Sequence, residues 1–337
     1  MEPRPIVGIT VGDIAGIGPE VVAKALTHVE VHRVCRPLVI GDSRVFTDPK
    51  FAASSPRVKV IENVSEARWS PETTMLLDLH NIEPADIAVG EISSAAGRAA
   101  VEYVLKATEM ALTDTIAAVA TAPLNKEAMR LAGYHYIGHT EILAEVTKTS
   151  RCTTMLATPG LRVTHVTRHI PFRDIAAQIT REAVLDTIVI TETGMRNLGY
   201  DQPRLAVAGL NPHNGEGGLL GREEIDAIAP AVAVAREQGI DATGPIPADS
   251  VFFQAIRGEY DAVVTMYHDQ GHVAVKTHDF ERSITITLGL PIVRTSADHG
   301  TAFDIAGQGI AAEDSMVTAI IEAARMASRQ HSNRARL

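Results

Sequence analysis

The chain has 337 residues, 45% of them hydrophobic and 21% charged, with a formal net charge of -10. That length supports two domains, or one large α/β domain with a sizeable core. The acidic balance argues against a general polyanion binder, and 4% aromatic content with the single Trp69 argues against a stacking platform for nucleic acid. No run approaches the ~18 apolar residues that span a bilayer. Two cysteines, Cys35 and Cys152, show neither metal-ligand spacing nor a disulfide framework, which fits a reducing compartment. The opening residues lack the basic and apolar regions of a signal peptide. The expectation is a soluble cytoplasmic protein with no nucleic-acid or membrane partner.

In chain order, Pro5–Thr10 reads as a buried strand, followed by the glycine-rich turn Val11–Pro19 and a helix over Glu20–Leu26 with Pro19 at its first position. Such a unit can cradle an anion on backbone N–H groups at the helix start. Gly12, Gly16 and Gly18 do not have the dinucleotide-fingerprint spacing, and a tight turn needing only backbone freedom accounts for them equally well. Arg36–Gly41 is a second strand, with Asp42 and Ser43 as a helix cap, and Val58–Glu62 a third. Residues 63–82 read as a polar surface excursion. Ser93–Leu112 has helical periodicity, and Ile116–Thr121 is a buried strand. Strands at Thr153–Ala157, Arg162–Thr167, Arg204–Leu210 and Tyr260–Thr265 alternate with helices near 180–197 and 221–238. This alternation predicts an α/β protein with a largely parallel sheet. No repeat or low-complexity linker marks a domain boundary. The basic stretch from Arg325 to Arg336 reads as a solvated helix end.

The titratable residues cluster at strand ends. Tyr260–Thr265 runs into a segment holding His268, Asp269, His272 and Lys276 within twelve residues. His169 follows the strand 162–168, and His213 follows 204–210. In a parallel sheet, carboxyl ends converge on one crevice, so His169, His213 and His268 could hold one divalent cation with open positions for substrate. Three unrelated loop histidines fit the spacing as well. His165, inside its strand, reads as a packed residue. Asp249 and Asp269 could orient an imidazole or carry a proton, and Asp249 could equally be an N-cap. His139 and Thr140 open a helix after Gly138, a suitable place for a phosphate or carboxylate that Lys276 and Arg294 could clamp. The glycine-rich stretch Asp298–Ala311 lets backbone press against a flat ligand.

Six motifs are more specific than this. They are Gly12–Glu20 (GDIAGIGPE), Ala122–Lys126 (APLNK), Gly138–Glu141 (GHTE), Asn211–Gly218 (NPHNGEGG), Met266–His272 (MYHDQGH), and Leu288-Gly-Leu-Pro291 with Asp298–Ala302 (DHGTA). Over nearly the whole chain and in the same order, they resemble the 4-hydroxythreonine-4-phosphate dehydrogenase (PdxA) family, on the side of its PdxA2-like branch. The opening and late loops also look like the wider isocitrate/isopropylmalate dehydrogenase group. The resemblance implies a two-domain α/β/α, isopropylmalate dehydrogenase-like fold, a homodimer with its active site in the interdomain cleft at the dimer interface. A nucleotide-binding domain would comprise 1–123 plus 273–337, and a metal, substrate and dimerisation domain 124–272.

It further implies metal ligation by His169, His213 and His268, with imidazole softness favouring Zn2+ or Co2+ over Mg2+. His139, Thr140, Lys276 and Arg294 would bind substrate phosphate. Thr285 stands where the family has a substrate-binding asparagine. NAD or NADP would lie on Gly12, Asp298, His299, Gly300, Thr301, Ala302 and Asp304, and Asp249, Asp269 or Lys126 would be the base. The implied reaction is oxidation with decarboxylation of a phosphorylated 3-hydroxy acid: 4-hydroxythreonine 4-phosphate, or threonate or erythronate 4-phosphate. The alternatives are a cis-dihydrodiol dehydrogenase of an aromatic carboxylate and a sugar-phosphate binding protein without chemistry.

Overall fold

The computed structural model describes residues 4–48, 50–51, 57–70 and 73–334. Among these it contains the strands β1 (Ile6–Thr10), β2 (Arg36–Gly41), β3 (Val58–Ile61), β4 (Thr74–Asp78), β5 (Ala118–Thr121), β6 (Thr153–Thr158), β7 (Leu161–His165), β8 (Leu205–Ala208), β9 (Ala242–Ile246), β10 (Ala262–Thr265), β11 (Ile284–Leu288) and β12 (Arg294–Ala297). The chain separates into two compact units. Unit 1 is Met1–Ser150 with Leu290–Leu337, and unit 2 is Arg151–Gly289. Both boundaries fall later than the sequence suggested. The helices Lys126–Leu131 and His139–Val146 pack on the long helix Ser94–Leu112 and so belong to unit 1. Strand β11 pairs with β6, which keeps residues 273–289 in unit 2.

In unit 1 the strands run parallel in the order β3-β4-β2-β1-β5-β12. Successive residues of β1, β2, β5 and β12 are buried almost throughout, so both faces of these strands are covered and alternation disappears from the sequence. The helices Ser94–Leu112 and Asp314–Arg334 pack against these strands. Ser93 caps the first, its hydroxyl accepting from Ala96 N at 3.3 Å. The expected surface excursion over 63–82 is in part wrong. β4 lies inside it, pairs with both β2 and β3, and buries Met75 and Leu76 completely. Its five residues are too few to show against the polar segments on either side.

Unit 2 has the order β11-β6-β7-β10-β8-β9. β11, β6 and β7 are antiparallel neighbours, whereas β7, β10, β8 and β9 are parallel. Leu156, Val163, Ala206, Val251, Val263 and Val275 share its core. The segment after β10 is not a loop but the helix His268–His278, which packs on β6, β7 and β10. Gly271 permits that approach, since a Cβ there would stand 2.5 Å from the His165 ring.

In unit 1, Gly97 has a similar role: a Cβ on it would meet the Ala128 carbonyl at 2.3 Å. Gly97→Leu should therefore lower stability by roughly 2 kcal/mol or more through overpacking, read as a lower urea midpoint. An unchanged midpoint would show that the two helices separate freely.

Candidate active site

The histidines of unit 2 are brought together by strand exits. Val166 N donates to Thr265 O at 2.8 Å and Thr167 N to Met266 O at 3.1 Å, so the β7–β10 alignment continues past both strand ends. His169 and His268 follow, with ring centroids 5.4 Å apart. Two imidazoles on one tetrahedral ion, with metal–nitrogen distances of ~2.0–2.1 Å, place their centroids roughly this far apart. His272, one helical turn beyond His268, stacks on it at 3.6 Å. His165 lies 4.8 Å from His272. Because the Thr265 hydroxyl donates to Thr164 O at 2.9 Å, it accepts from His165 Nδ1 at 2.7 Å, which fixes that tautomer. Burial, and then the neighbouring His272, push His165 down to about 3, so it is neutral and packed as the sequence suggested.

His213 is placed differently. It begins a left-handed run through Gly217 in which every φ is positive, and its Nδ1 meets Glu216 Oε1 at 2.9 Å. His268 Nδ1 likewise meets Asp269 Oδ1 at 2.7 Å. A carboxylate on Nδ1 leaves Nε2 for a metal ion, the usual arrangement around ligating imidazoles, so the donor set fits a divalent cation. The structure pairs His169 with His268 but does not gather all three. Among the described residues, the one set of three such side chains with ligand atoms within 4.8 Å of one another is Asp42, Asp78 and His80 in unit 1. There Arg44 Nε and Nη2 occupy both Asp42 oxygens at 2.8 and 2.7 Å, and Ile82 N adds a further bond, so a cation would have to displace a guanidinium.

Unit 1 holds a buried guanidinium and an enclosed imidazole. Arg294 is 3% exposed, donates from Nη2 to Thr121 Oγ1 at 2.7 Å, and is pushed by burial to about 9. His139 opens the helix His139–Val146, with Thr140 beside it at the N-terminus. Its Nε2 is enclosed without a hydrogen-bond partner. Burial first, and then the Arg294 charge, hold its pKa well below the ordinary value. A buried cation, a neutral imidazole and a helix start are groups whose chemistry is compatible with an anion. Lys276 and Thr285 belong to unit 2: Lys276 Nζ lies over the Phe280 ring at 5.1 Å, and Thr285 pairs with Leu156 across β11 and β6.

The opening and late loops meet within unit 1. Gly12 has φ +74, and a Cβ would strike Pro123 O at 2.3 Å, so glycine is required there. Ile17 N donates to Thr301 O at 2.9 Å. Glu20, fully buried, pairs with Lys24 at 2.9 Å and accepts from Gly309 N and Ala311 N, while Lys24 Nζ donates to Gly309 O and Ala311 O. Asp298 N is held by Ser315 Oγ at 3.1 Å, Ala302 has φ +39, and a Cβ on Gly300 would meet nothing within 4 Å. His299 Nδ1 contacts Gly300 O at 3.2 Å, and Asp304 is exposed. An open glycine flanked by Asp298 and Asp304 suits a flat, hydroxyl-bearing ligand such as a dinucleotide.

Residues 33–323 match the family model described as pyridoxal phosphate biosynthetic protein PdxA. The chain belongs to the PdxA family. A Clostridium botulinum relative with the provisional name D-threonate 4-phosphate dehydrogenase is 47% identical over 96% of this chain and 97% of its own. Among solved structures, a 4-hydroxythreonine-4-phosphate dehydrogenase from Burkholderia phymatum superposes with TM-score 0.85 at 46% identity, covering 96% of this chain and 98% of that one. One of the same name from Klebsiella pneumoniae gives 0.86 at 42%, covering 96% and 99%. The α/β fold and a dehydrogenase activity on CH–OH groups follow from these matches.

The base candidates of this PdxA-family chain differ in surroundings. Asp269 is engaged with His268. Asp249 is exposed in the first turn of the helix Ala248–Ile256 and is not its cap, which is Pro247. Lys126 is exposed after the cap Asn125. Sequence reasoning missed Asp13 and Glu20. Glu20 could have been suspected as a lone acid in an otherwise apolar first helical turn. Asp13 is fully buried, its Oδ1 accepts from Ala15 N at 2.9 Å, its Oδ2 has no partner, and burial raises its pKa to about 6. Since the folded value lies above the unfolded 3.8, ionisation costs stability above pH 6, and that cost vanishes below pH 4. Asp13→Asn should therefore stabilise the protein by roughly 2–3 kcal/mol at pH 8, at about 1.36 kcal/mol per pKa unit. The gain should fall towards zero near pH 4, and urea titrations at the two pH values would check it.

Proposed function

We propose that this dehydrogenase oxidises a phosphorylated four-carbon 3-hydroxy acid, D-threonate 4-phosphate before 4-hydroxythreonine 4-phosphate, with decarboxylation. The carrying observation is the anion arrangement: a guanidinium only 3% exposed beside the enclosed, neutral His139. A buried charge is costly, and an anion bound beside it would offset that cost. The name of the 47%-identical relative supports the first substrate. Lys276 and Thr285 are proposed as further substrate contacts.

His169, His213 and His268 would hold one divalent ion, Zn2+ before Co2+ or Mg2+, with Glu216 and Asp269 fixing two of the rings. When bound, such an ion would supply a lower pKa for the substrate hydroxyl, and NAD or NADP on the loops around Gly12, Asp298–Ala302 and Asp304 would supply a hydride acceptor. Asp249 or Lys126 would take the hydroxyl proton, because the carboxylate of Asp269 is committed to His268. Arg294 and His139 would hold the phosphate still while the resulting 3-keto acid loses its carboxylate.

A homodimer fits the exposed apolar side chains of unit 2, among them Phe172, Leu219, Phe253 and Phe280, each more than 60% exposed. Among the described residues no helix is long and apolar enough to cross a membrane. The proposed compartment is the cytoplasm, where the thiols of Cys35 and Cys152 stay reduced.

Reduction of NAD or NADP at 340 nm by Zn2+- or Co2+-loaded protein tests the reading. Turnover of D-threonate 4-phosphate that stops with chelator is expected; turnover of a cis-dihydrodiol carboxylate instead would overturn it. Arg294→Leu should lower kcat/KM roughly 100-fold, the scale of a lost charge-assisted contact. Thr285→Asn should move preference towards 4-hydroxythreonine 4-phosphate, and an unchanged ratio would remove Thr285 from specificity. Light scattering should give twice the chain mass, and a fully active monomer would contradict a shared interface site.

A further inference from the structure

Three strand exits carry the three histidines, and one line of hydrogen bonds crosses all of them. Thr167, two residues before His169, donates from its N and its Oγ1 to Met266 O, at 3.1 and 2.8 Å. Met266, two residues before His268, donates from its N to Gln270 Oε1 at 2.7 Å. Gln270 Nε2 donates to Gly209 O at 2.8 Å, and Gly209 stands four residues before His213. Gly209 N in turn donates to Ile246 O at 2.8 Å, so this peptide is held on both sides. The orientation of the Gln270 amide is unambiguous, because Met266 N–H can only donate and the Gly209 carbonyl can only accept. No other side chain of this size does both: glutamate cannot donate while ionised, and methionine or leucine does neither.

The far end of the line is anchored by Glu224, which is 3% exposed. Its Oε1 accepts from Leu210 N and Asn211 N at 2.8 and 2.7 Å, and its Oε2 from Asn211 Nδ2 at 2.9 Å. The glycines beside it allow this. A Cβ on Gly209 would stand 2.2 Å from Asn214 Oδ1, and one on Gly215 would stand 3.0 Å from Glu224 Oε2. Asn214 Nδ2 adds a bond to Pro245 O at 2.9 Å. The left-handed run that carries His213 therefore starts from a fixed backbone.

We infer that Gln270, with Glu224 behind it, is a positioning residue for the metal-binding histidines. Its amide sets the separation between the β10 exit bearing His268 and the β8 exit bearing His213. This deepens the proposed function and rests on its assignment of His213 and His268 as ligands. Gln270 touches neither ligand ring in the role assigned to it; it acts through the backbone to which both are attached. Removing hydrogen-bonded supports of metal ligands typically weakens metal binding ~10–100-fold.

The test uses metal-free full-length protein titrated with Co2+, with affinity from competition against a chromophoric chelator and geometry from the visible d–d bands. Gln270→Met keeps the volume and removes both bonds. It should weaken Co2+ binding at least tenfold and change the band positions. Gln270→Glu keeps the acceptor for Met266 N and loses the donor to Gly209 O, so it should fall between; it carries the test alone if Gln270→Met does not fold. Thr191→Val removes buried hydrogen bonds to Thr164 and Thr187 in the same unit and serves as the stability control. It should lower the melting temperature of metal-free protein with Co2+ affinity unchanged. Gln270 variants that bind Co2+ within twofold of the native chain, with unaltered bands, would overturn the inference. His268→Ala separates the two levels: native-like Co2+ binding without that ring would sink the ligand assignment itself, whatever Gln270 does.

Discussion

The parallel alignment of β7, β10 and β8 is the constraint on which the histidine site depends. Parallel strands end on the same side of a sheet, so three chain segments leave from one edge. The β7–β10 ladder continues beyond its formal ends through Val166 and Thr167, which is why the His169 and His268 rings stand 5.4 Å apart. β6 is antiparallel to β7 and begins where β7 ends, so its chain enters the sheet at this edge instead of leaving from it. The helix that starts at His268 is drawn against the strands by Gly271, which stacks His272 above His268 and closes His165 beneath them.

Unit 1 uses buried charge in two ways. Glu20 has every oxygen engaged, by Lys24 and by two amides of the late loop, and so joins the first helix to a segment nearly three hundred residues away. This is charge as structure, and both partners are satisfied. Arg294 is a second buried charge: the hydroxyl of Thr121 accepts from it, and the neighbouring imidazole of His139 is kept neutral, so positive charge is concentrated in a place from which water is largely removed. In such surroundings electrostatic attraction to an anion is stronger than at a wet surface.

Much of the architecture was legible because it is local. Alternating apolar strands and helices, and Pro19 at a helix start, announce themselves within a few residues. β4 did not, because Thr74–Asp78 is short and bordered by polar chain, and its burial comes from β2 and β3 on either side. The helix His268–His278 was hidden by its own composition, polar at the start and interrupted by Gly271. The domain limits were also misjudged, since helix packing through Gly97 and the pairing of β11 with β6 join segments that sequence order keeps apart.

The amino-acid sequence by itself determined the family, the α/β class, and the presence of a histidine just beyond each of three strands, and it singled out Arg294 and His139 as anion-binding candidates. Those features depend on periodicity, on residue type and on motifs a few residues long. Only the tertiary structure decided that His169 pairs with His268 while His213 turns to Glu216, that Asp269 orients an imidazole, and that Gln270 reaches the Gly209 carbonyl 61 positions away. Strand order and hydrogen bonds between distant segments are set by how the whole chain packs, and no local pattern in the sequence encodes them.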